Sequence, residues 1–452
     1  MSQTPLFHMS RGTDSYKFTH HKQYPPGTTH VFSYFAARGA PAGWSGDVLF
    51  FGLQYFLKRY LAGTVVTREQ ILRSAEMVAA HFGNPELFNT AGWMHILEHH
   101  NGRLPVVINA LPEGSIAKVG QPLFTIENTD PACHWLTSYL ETLLVQTWSM
   151  CTVATNSWEC KRVLRDALEL SGDPAGLPFK LHDFGYRGVT CPEAAATAGA
   201  AHLVSFMGTD TFAAIDMLAE YYGCNQMPGY SIPASEHSTI TSWGKEHELG
   251  AYANMLDQYP TGLFACVSDS YDVFSACKNL WGGVLRDRVL ARNGTLVVRP
   301  DSGELPGTVL AVLDALGESF GTTVNAKGYR VLPSQVRVIQ GDGIDRSMLR
   351  TIVDEMLRQR WSIDNIAFGS GGGLLQKFDR DTLRFAMKCS SIRVNGEERD
   401  CYKAPVTDPG KTSLRGRLEQ YTGEMVEVFR DGTVLIDQHF EDIRTRAAIQ
   451  TP

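Results

Sequence analysis

Apolar residues along this chain change their spacing twice, near residue 178 and again near residue 380. Before the first change the pattern is mixed. Val31-Phe32-Ser33-Tyr34-Phe35 reads as a strand. Helical spacing follows over 48–61 and 67–82, the second opened by Thr67 with Gln70 three residues later, a capping box. From 104 to 126 the period is that of strands, with turns at Pro112-Glu113-Gly114 and Val119-Gly120-Gln121-Pro122. Residues 135–148 set Trp135, Tyr139, Leu143 and Gln146 along one side of an apolar helix, and a more charged helix is expected over 158–170.

From 178 to 378 short apolar runs alternate with helical stretches, and polar residues gather where each run ends. Lys180-Leu181-His182 leads into Asp183-Phe184-Gly185-Tyr186-Arg187-Gly188, and 203–206 leads into Gly208-Thr209-Asp210. A third, weaker run ends in the stretch from Ser231 to His237. The runs at 263–267, 296–298, 336–339 and 366–368 meet Ser268-Asp269-Ser270-Tyr271-Asp272, Arg299-Pro300-Asp301-Ser302-Gly303, Gly341-Asp342-Gly343 and Gly369-Ser370-Gly371-Gly372-Gly373. Seven βα units in series predict a parallel sheet buried on both faces. Polar residues after every run predict a barrel, because an open doubly wound sheet concentrates them at its switch point. Beyond Arg380 strands and turns return, including a hairpin signal at Phe429-Arg430-Asp431-Gly432-Thr433-Val434.

With 452 residues the chain can bury a large core and fill two or three domains. A net charge of −7 argues against an extended nucleic-acid face, while leaving room for small phosphates held by a few local cations. Nine cysteines without a C-x-x-C pair fit neither a disulfide framework nor a zinc ribbon. Met1-Ser2-Gln3-Thr4-Pro5 does not open a leader and no run reaches membrane-spanning length, so a cytoplasmic protein without a membrane partner is expected.

The candidate chemistry centres on Gly229-Tyr230-Ser231-Ile232-Pro233-Ala234-Ser235-Glu236-His237-Ser238-Thr239. Ser235 or Ser238 is expected to cap a helix continuing through Ile240, Trp243, Leu249 and Tyr252. His237 at that helix's positive end would favour the neutral, nucleophilic imidazole; the alternative is a capping turn with a satisfied histidine. The glycines at 369–373 suit an anion approached by backbone N–H groups, against a plain flexible turn; the spacing is neither that of a Walker loop nor that of a dinucleotide fingerprint. Arg299 could hold a phosphate and Asp301 ribose hydroxyls, or the two could simply form an ion pair across the barrel top. Asp342, between Gly341 and Gly343, reads similarly. Phe184 and Arg187 suit a flat heteroaromatic ring beside an anion, with core packing of Phe184 the alternative. Between 380 and 417 nine Lys or Arg face five Asp or Glu, a polyphosphate site or a solvated charged face.

Together these motifs resemble the nicotinamide phosphoribosyltransferases, members of the type II phosphoribosyltransferase family. The resemblance runs from about Asp14 to the last helix. It is carried by Asp14-Ser15-Tyr16-Lys17, by the 180–188 motif, by Gly208-Thr209-Asp210-Thr211, by Ala234-Ser235-Glu236-His237-Ser238-Thr239, by Arg299-Pro300-Asp301-Ser302-Gly303, by Gln340-Gly341-Asp342-Gly343 and by residues 368–377. It implies an incomplete, seven-unit βα-barrel over 178–378, joined to a mixed α+β domain built from 1–177 and 379–452. It also implies a homodimer with shared active sites, making nicotinamide mononucleotide and pyrophosphate from nicotinamide and phosphoribosyl pyrophosphate for NAD salvage. ATP is the implied co-substrate and Mg2+ the implied cofactor, its ligands unassigned.

By the same resemblance the pyridine ring lies between Phe184 and Tyr16, with Tyr16 and Asp14 reaching in from a second subunit. Asp210 accepts from the amide, with Ser231 and Ser268 nearby. Arg299, Gly371 and Gly372 hold the 5′-phosphate, and Asp301 and Gly341 take ribose hydroxyls. Arg187 sits near phosphate, and Asp272 beside the magnesium pyrophosphate. Arg380, Lys388, Lys403 and Lys411 hold polyphosphate across the dimer interface. His237 is phosphorylated by ATP, with Glu236 orienting or polarising it. Two alternatives compete. A nicotinate phosphoribosyltransferase is disfavoured because Asp210 would face a second carboxylate. A non-catalytic binding protein on the same fold would not need the histidine, the arginine and both glycine loops.

Overall fold

The computed structural model describes residues 7–408 and 411–449; Met1–Pro5, read above for a leader, lie outside them. Six parallel strands form one sheet, in the order Gly208–Thr209, Leu181–Asp183, Ile366–Ser370, Val336–Gln340, Asn293–Arg299, Thr261–Val267. The strands are apolar on both faces because both faces are covered. Phe264, Cys266, Leu296, Val298, Val338 and Phe368 point into the main core beneath the surrounding helices. Their alternate neighbours Ala265, Val297 and Ile339 form a small inner cluster, with Phe184, Ile232 and Ala367 against it. A two-residue period therefore divides each run between helix layer and interior. The inner residues are short, and short residues leave space.

Six strands, rather than seven, make this sheet. The weaker third run contributes only single parallel bridges, Tyr230 to Gly208 on one side and Ala234 to Ala265 on the other. The main-chain hydrogen bonds there are Tyr230 N–H to Met207 O, Thr209 N–H to Tyr230 O, Ser235 N–H to Ala265 O and Ala265 N–H to Pro233 O, at 2.7–3.0 Å. This stretch spans the gap between the first and last strands of the sheet. The run at 203–206 is not itself a strand. It is the end of the helix Pro192–Leu203 and the turn after it, and pairing begins only at Gly208. Leu203, Val204 and Phe206 are all buried, and a short buried run has no period by which to tell helix from strand.

The second sheet has seven strands, all antiparallel: Glu397–Asp400, Ala386–Val394, Thr28–Ala36, Phe124–Asn128, Val106–Ala110, Val426–Arg430, Thr433–Val434. Early and late segments of the chain are its direct neighbours, as Val31 opposite Ile392 shows. The expected hairpin is present, with Asp431 and Gly432 both at positive φ, 47° and 80°, as its tight turn requires. The Thr67–Gln70 capping box opens the helix Arg68–Phe82.

Other elements depart from the periodicity. Residues 48–61 are not one helix: Asp47–Leu49 is a strand paired with Ile116–Lys118, and helical turns cover Leu53–Phe56 and Leu57–Leu61. Gly52 separates the two at φ 110°, where a side chain would also strike Met150. The charged helix begins earlier than expected, spanning Thr147–Ser171, and a helix at Thr90–His100 had no sequence expectation. Among the described residues no helix is long and apolar enough to cross a membrane.

Candidate active site

A cavity of about 320 Å³ opens at the carboxyl ends of the parallel strands. Ile232, Ala234, Ala265 and Ile339 give it an apolar wall; His182, Phe184, Tyr186, Arg187, Asp210, Ser231 and Arg299 complete the lining. Phe184 holds its place through a missing side chain elsewhere. A methyl on Gly369 would stand 1.9 Å from Phe184 Cε2, and one on Gly341 would stand 3.3 Å from the same atom. The glycine expected to serve an anion thus makes room for the ring, as the Phe184 N–H to Ser370 O bond of 2.9 Å fixes its backbone. Gly369→Ala is expected to push the ring into the cavity and raise KM for a flat base at least tenfold, while Gly371→Ala, whose added methyl would meet nothing closer than 3.6 Å, leaves the ring where it is; steady-state kinetics on both variants checks this.

Asp210 stands at the cavity wall, and Ser231 Oγ donates to its Oδ1. Behind it Asp183 is buried, accepting from Gly185 N–H at 2.7 Å; burial pushes its carboxyl up to about 6 despite that bond. Burial also lowers the pKa of His182, opposed by the charge of Asp210 and a bond to the Phe179 carbonyl. His182 therefore offers the cavity a neutral imidazole.

Arg299 and Asp301 form the ion pair weighed as the plainer alternative. Nε donates to Oδ1 at 2.9 Å and one terminal nitrogen donates to Oδ2 at 2.6 Å. Burial opposes the guanidinium's charge, but Asp301, with Asp269 and Asp210 farther out, holds its pKa above the ordinary value. The pair adjoins the glycine turn, since a methyl on Gly341 would come within 3.2 Å of Asp301 Oδ1. Arg187 lies on the turn Tyr186–Gly188, pressed against the second glycine loop: a methyl on Gly188 would stand 3.2 Å from Gly372 N. Gly371 and Gly372 open a helical turn of four residues, Gly372–Leu375, whose first amides have no partner within the turn. It is too short for the helix dipole expected from the sequence to add much.

His237 begins the short helix His237–Thr241, capped by Glu236 rather than by Ser235 or Ser238. Glu236 accepts from Ser238 Oγ, and its N–H donates to Thr239 Oγ1 at 3.2 Å, so its carboxylate serves the helix. Ser235 is buried, accepting from Val267 N–H at 2.9 Å. Gly244, at φ 84°, breaks the expected longer helix, which restarts at Glu248–Gln258. The side chain that meets the histidine is Asp269: Nε2 and Oδ1 are 3.0 Å apart. The Asp269 side chain is 5% exposed against 47% for His237, a fixed carboxylate behind a reachable ring. Asp269 lies in the polar cluster after the run at 263–267, but adjacency in sequence does not say which of its acids faces the imidazole.

The remaining candidates lie away from the cavity lining. Ser268 is buried, donating to Cys266 O at 3.0 Å and accepting from Trp281 Nε1 at 3.1 Å. Asp272 caps the turn Val273–Ser275 through Oδ1, and Asp342 is exposed. Asp14 accepts from Thr142 Oγ1 at 2.7 Å, and Tyr16 is 60% exposed on the short helix Ser15–Lys22; neither lines the cavity of its own chain. Arg380 pairs with Asp381 and Lys411 with Asp408, and Lys403 is exposed. Lys388 is half-buried, its pKa lowered by burial and, in smaller part, by Arg38, Arg380 and Lys17. Of the other cations in 380–417, Arg393 pairs with Glu398 and Arg417 with Glu127.

A parallel sheet whose strand ends hold a base-sized cavity, an arginine and a glycine loop fits an enzyme that transfers a phosphoribosyl group, and sequence comparison agrees. Residues 179–433 match the nicotinate phosphoribosyltransferase (NAPRTase) family, and the chain belongs to it, an enzyme of the pentosyltransferase class. Residues 8–108 match the N-terminal domain of nicotinamide phosphoribosyltransferase. More particularly, the chain is 47% identical to a nicotinamide phosphoribosyltransferase of Xanthomonas campestris pv. campestris, over 96% of this chain and 97% of that one. It is 32% identical to one of Acinetobacter baylyi, over 97% and 96%. Among solved structures, nicotinate-nucleotide pyrophosphorylase from Pyrococcus furiosus matches with a TM-score of 0.58 at 15% identity, over 100% of this chain and 98% of that one. Human nicotinic acid phosphoribosyltransferase matches with 0.56 at 16%, over 97% and 93%. At such identities these two bear on the fold alone.

Proposed function

We propose that this chain joins nicotinamide to the anomeric carbon of phosphoribosyl pyrophosphate, releasing pyrophosphate and forming nicotinamide mononucleotide in NAD salvage. The observation that carries the reading is the Asp210 carboxylate, backed by Ser231, at the wall of an apolar cavity beside the Phe184 ring. A carboxamide N–H is attracted there, and the carboxylate of nicotinate is repelled. The names of the bacterial relatives support the same choice.

The bond forms between the pyridine nitrogen and the anomeric carbon as the bond to pyrophosphate breaks. Positive charge grows on the sugar and negative charge on the leaving group. Fixing the ring nitrogen opposite that group contributes up to about 7–11 kcal/mol. Phe184 and the apolar wall align the ring, and Asp210 sets its rotation. Arg299 and the amides of Gly371 and Gly372 take the 5′-phosphate. In the free protein the Arg299 fork is occupied by Asp301, so phosphate entry competes for it and frees Asp301 for the ribose hydroxyls near Gly341. Arg187 is placed for the departing pyrophosphate. The exposed carboxylates of Asp272 and Asp342 would suit a magnesium ion that keeps several waters, and such an ion would supply neutralisation of the leaving-group charge.

A second group transfer falls to His237. Asp269 holds the proton on Nε2, which leaves the lone pair on Nδ1 free to attack the γ-phosphorus of ATP; the N–P bond forms and ADP departs. His237→Ala is expected to abolish labelling from γ-labelled ATP and the stimulation by ATP, while ATP-independent synthesis persists. Asp269→Asn should cut labelling at least tenfold. Undiminished labelling in both variants would remove the histidine from the scheme.

Residues 178–378 are taken as the catalytic unit, with 1–177 and 379–452 forming the other. The exposure of Tyr16, away from its own cavity, supports a homodimer in which a second copy supplies Asp14 and Tyr16, and in which Arg380, Lys388, Lys403 and Lys411 gather polyphosphate across the interface. Product formation from nicotinamide and from nicotinate, each with phosphoribosyl pyrophosphate and with or without ATP, tests the whole reading. Comparable turnover of the two bases would overturn it.

A further inference from the structure

Another cluster of donor atoms lies outside the cavity, where the helix Thr90–His100 meets the turn after the strand Phe124–Asn128. His95 Nε2 and His100 Nε2 approach the same atom, Asp130 Oδ2, at 2.8 and 2.6 Å. The Cys133 thiol completes the group: one ligand atom from each of the four residues lies within 4.8 Å of the others. The histidine and aspartate side chains are 21–29% exposed, whereas Cys133 is fully buried. The group has a closed base and an open mouth.

We propose that His95, His100, Asp130 and Cys133 form a site for one divalent d-block cation, with zinc the expected occupant. Two imidazoles, a carboxylate and a thiolate make a four-donor set of mixed softness, the composition zinc takes in tetrahedral sites. Magnesium and calcium prefer oxygen donors and do not suit it. Much of the site is organised without an ion. Asp130 Oδ1 accepts from Ala132 N–H at 2.8 Å, Asn128 Nδ2 donates to Asp130 O at 2.8 Å, and Cys133 N–H donates to Asp130 O at 2.9 Å. These bonds hold the carboxylate and the thiol in one tight turn. On the facing helix the His95 ring stacks on His99, centroids 4.2 Å apart.

Donors about 2.0–2.3 Å from a tetrahedral zinc stand roughly 3.3–3.8 Å from one another. The ion therefore spreads the two imidazoles from Asp130 by about half an ångström and draws the thiol inward, movements within the reach of side-chain rotation. Its entry replaces the two contacts to Oδ2. Each imidazole gives up the Nε2 proton it shares with Asp130 and is left with a single proton on Nδ1, and the thiol proton passes to solvent. The cation then ties the helix Thr90–His100 to the end of a strand of the antiparallel sheet.

The test uses the full chain, purified with reductant and stripped with chelator, then titrated with Co2+ and afterwards with Zn2+. One cobalt per chain is expected, with a sulfur-to-cobalt charge-transfer band and the intense visible absorption of a tetrahedral site. One zinc should displace it, and excess Mg2+ should not. Cys133→Ala should lose the charge-transfer band. Because that change empties buried space, His100→Ala, at a side chain a quarter exposed, is the second variant and should weaken zinc binding at least tenfold with unchanged circular dichroism. A wild-type chain without the band, a band that survives Cys133→Ala, or equal zinc affinity in His100→Ala overturns the proposal and leaves Asp130 as a plain acceptor for two histidines.

Discussion

Asp210→Asn is expected to collapse the choice between nicotinamide and nicotinate. A hydrogen bond to a charged acceptor is worth about 1.5–3 kcal/mol, so kcat/KM for nicotinamide should fall about 10- to 100-fold. The same change removes the charge that opposes nicotinate, and the amide of asparagine can donate to its carboxylate. The ratio of the two specificity constants should therefore move by about two orders of magnitude or more, because a site built around one polar partner rejects the analogue that leaves it unpaired. Ser231 Oγ retains an acceptor in the variant, the asparagine carbonyl, so the cavity wall is kept. Competition kinetics with both bases in one tube measures the ratio directly. An unchanged ratio would mean that the amide end of the base is read elsewhere.

Arg299→Ala should be the most damaging single change. It deletes the cation at the cavity wall and leaves Asp301, 18% exposed, without its bidentate partner. Breaking a largely buried pair from one side costs about 3–5 kcal/mol, and loss of the proposed phosphate anchor would remove binding energy spent on placing the anomeric carbon. A fall of about 10³-fold in kcat/KM for phosphoribosyl pyrophosphate is expected, with kcat falling as well as KM rising. Arg299→Lys keeps the charge but not the planar fork and should recover only part of the loss. The double variant Arg299→Ala with Asp301→Ala separates the two contributions: it restores stability to thermal unfolding without restoring turnover.

The parallel sheet was legible because runs such as Leu296, Val297 and Val298, apolar throughout and rich in β-branched residues, are what a strand covered on both faces requires. Arg299 and Asp301 were legible as partners because residues two apart on an extended chain share a side. Where the reading failed, the signal was local and the cause was not. The run at 203–206 is apolar because a helix end and a turn are buried. The helix Thr90–His100 escaped notice because its three histidines, its glutamate and Gly92 blur the apolar stripe; Asn89, whose side chain accepts from Gly92 N–H, was its available marker. Asp269 rather than Glu236 meets His237 because Glu236 turns back to cap its own helix, a choice of rotamer that no spacing encodes. Ser268 fell inside the strand's packing because a step of one residue reverses the face.

The stretch from Tyr230 to Ala234 has one further consequence. Every other joint between neighbours in the ring is a ladder, whereas this one rests on isolated bridges at its two ends. It is therefore the seam where the ring opens at least cost. Ser231 rides on the seam and His237 follows three residues after it, so any widening of the mouth there would also displace the imidazole that the proposed scheme phosphorylates. The stave most loosely fitted is the one that carries Ser231 and leads into His237.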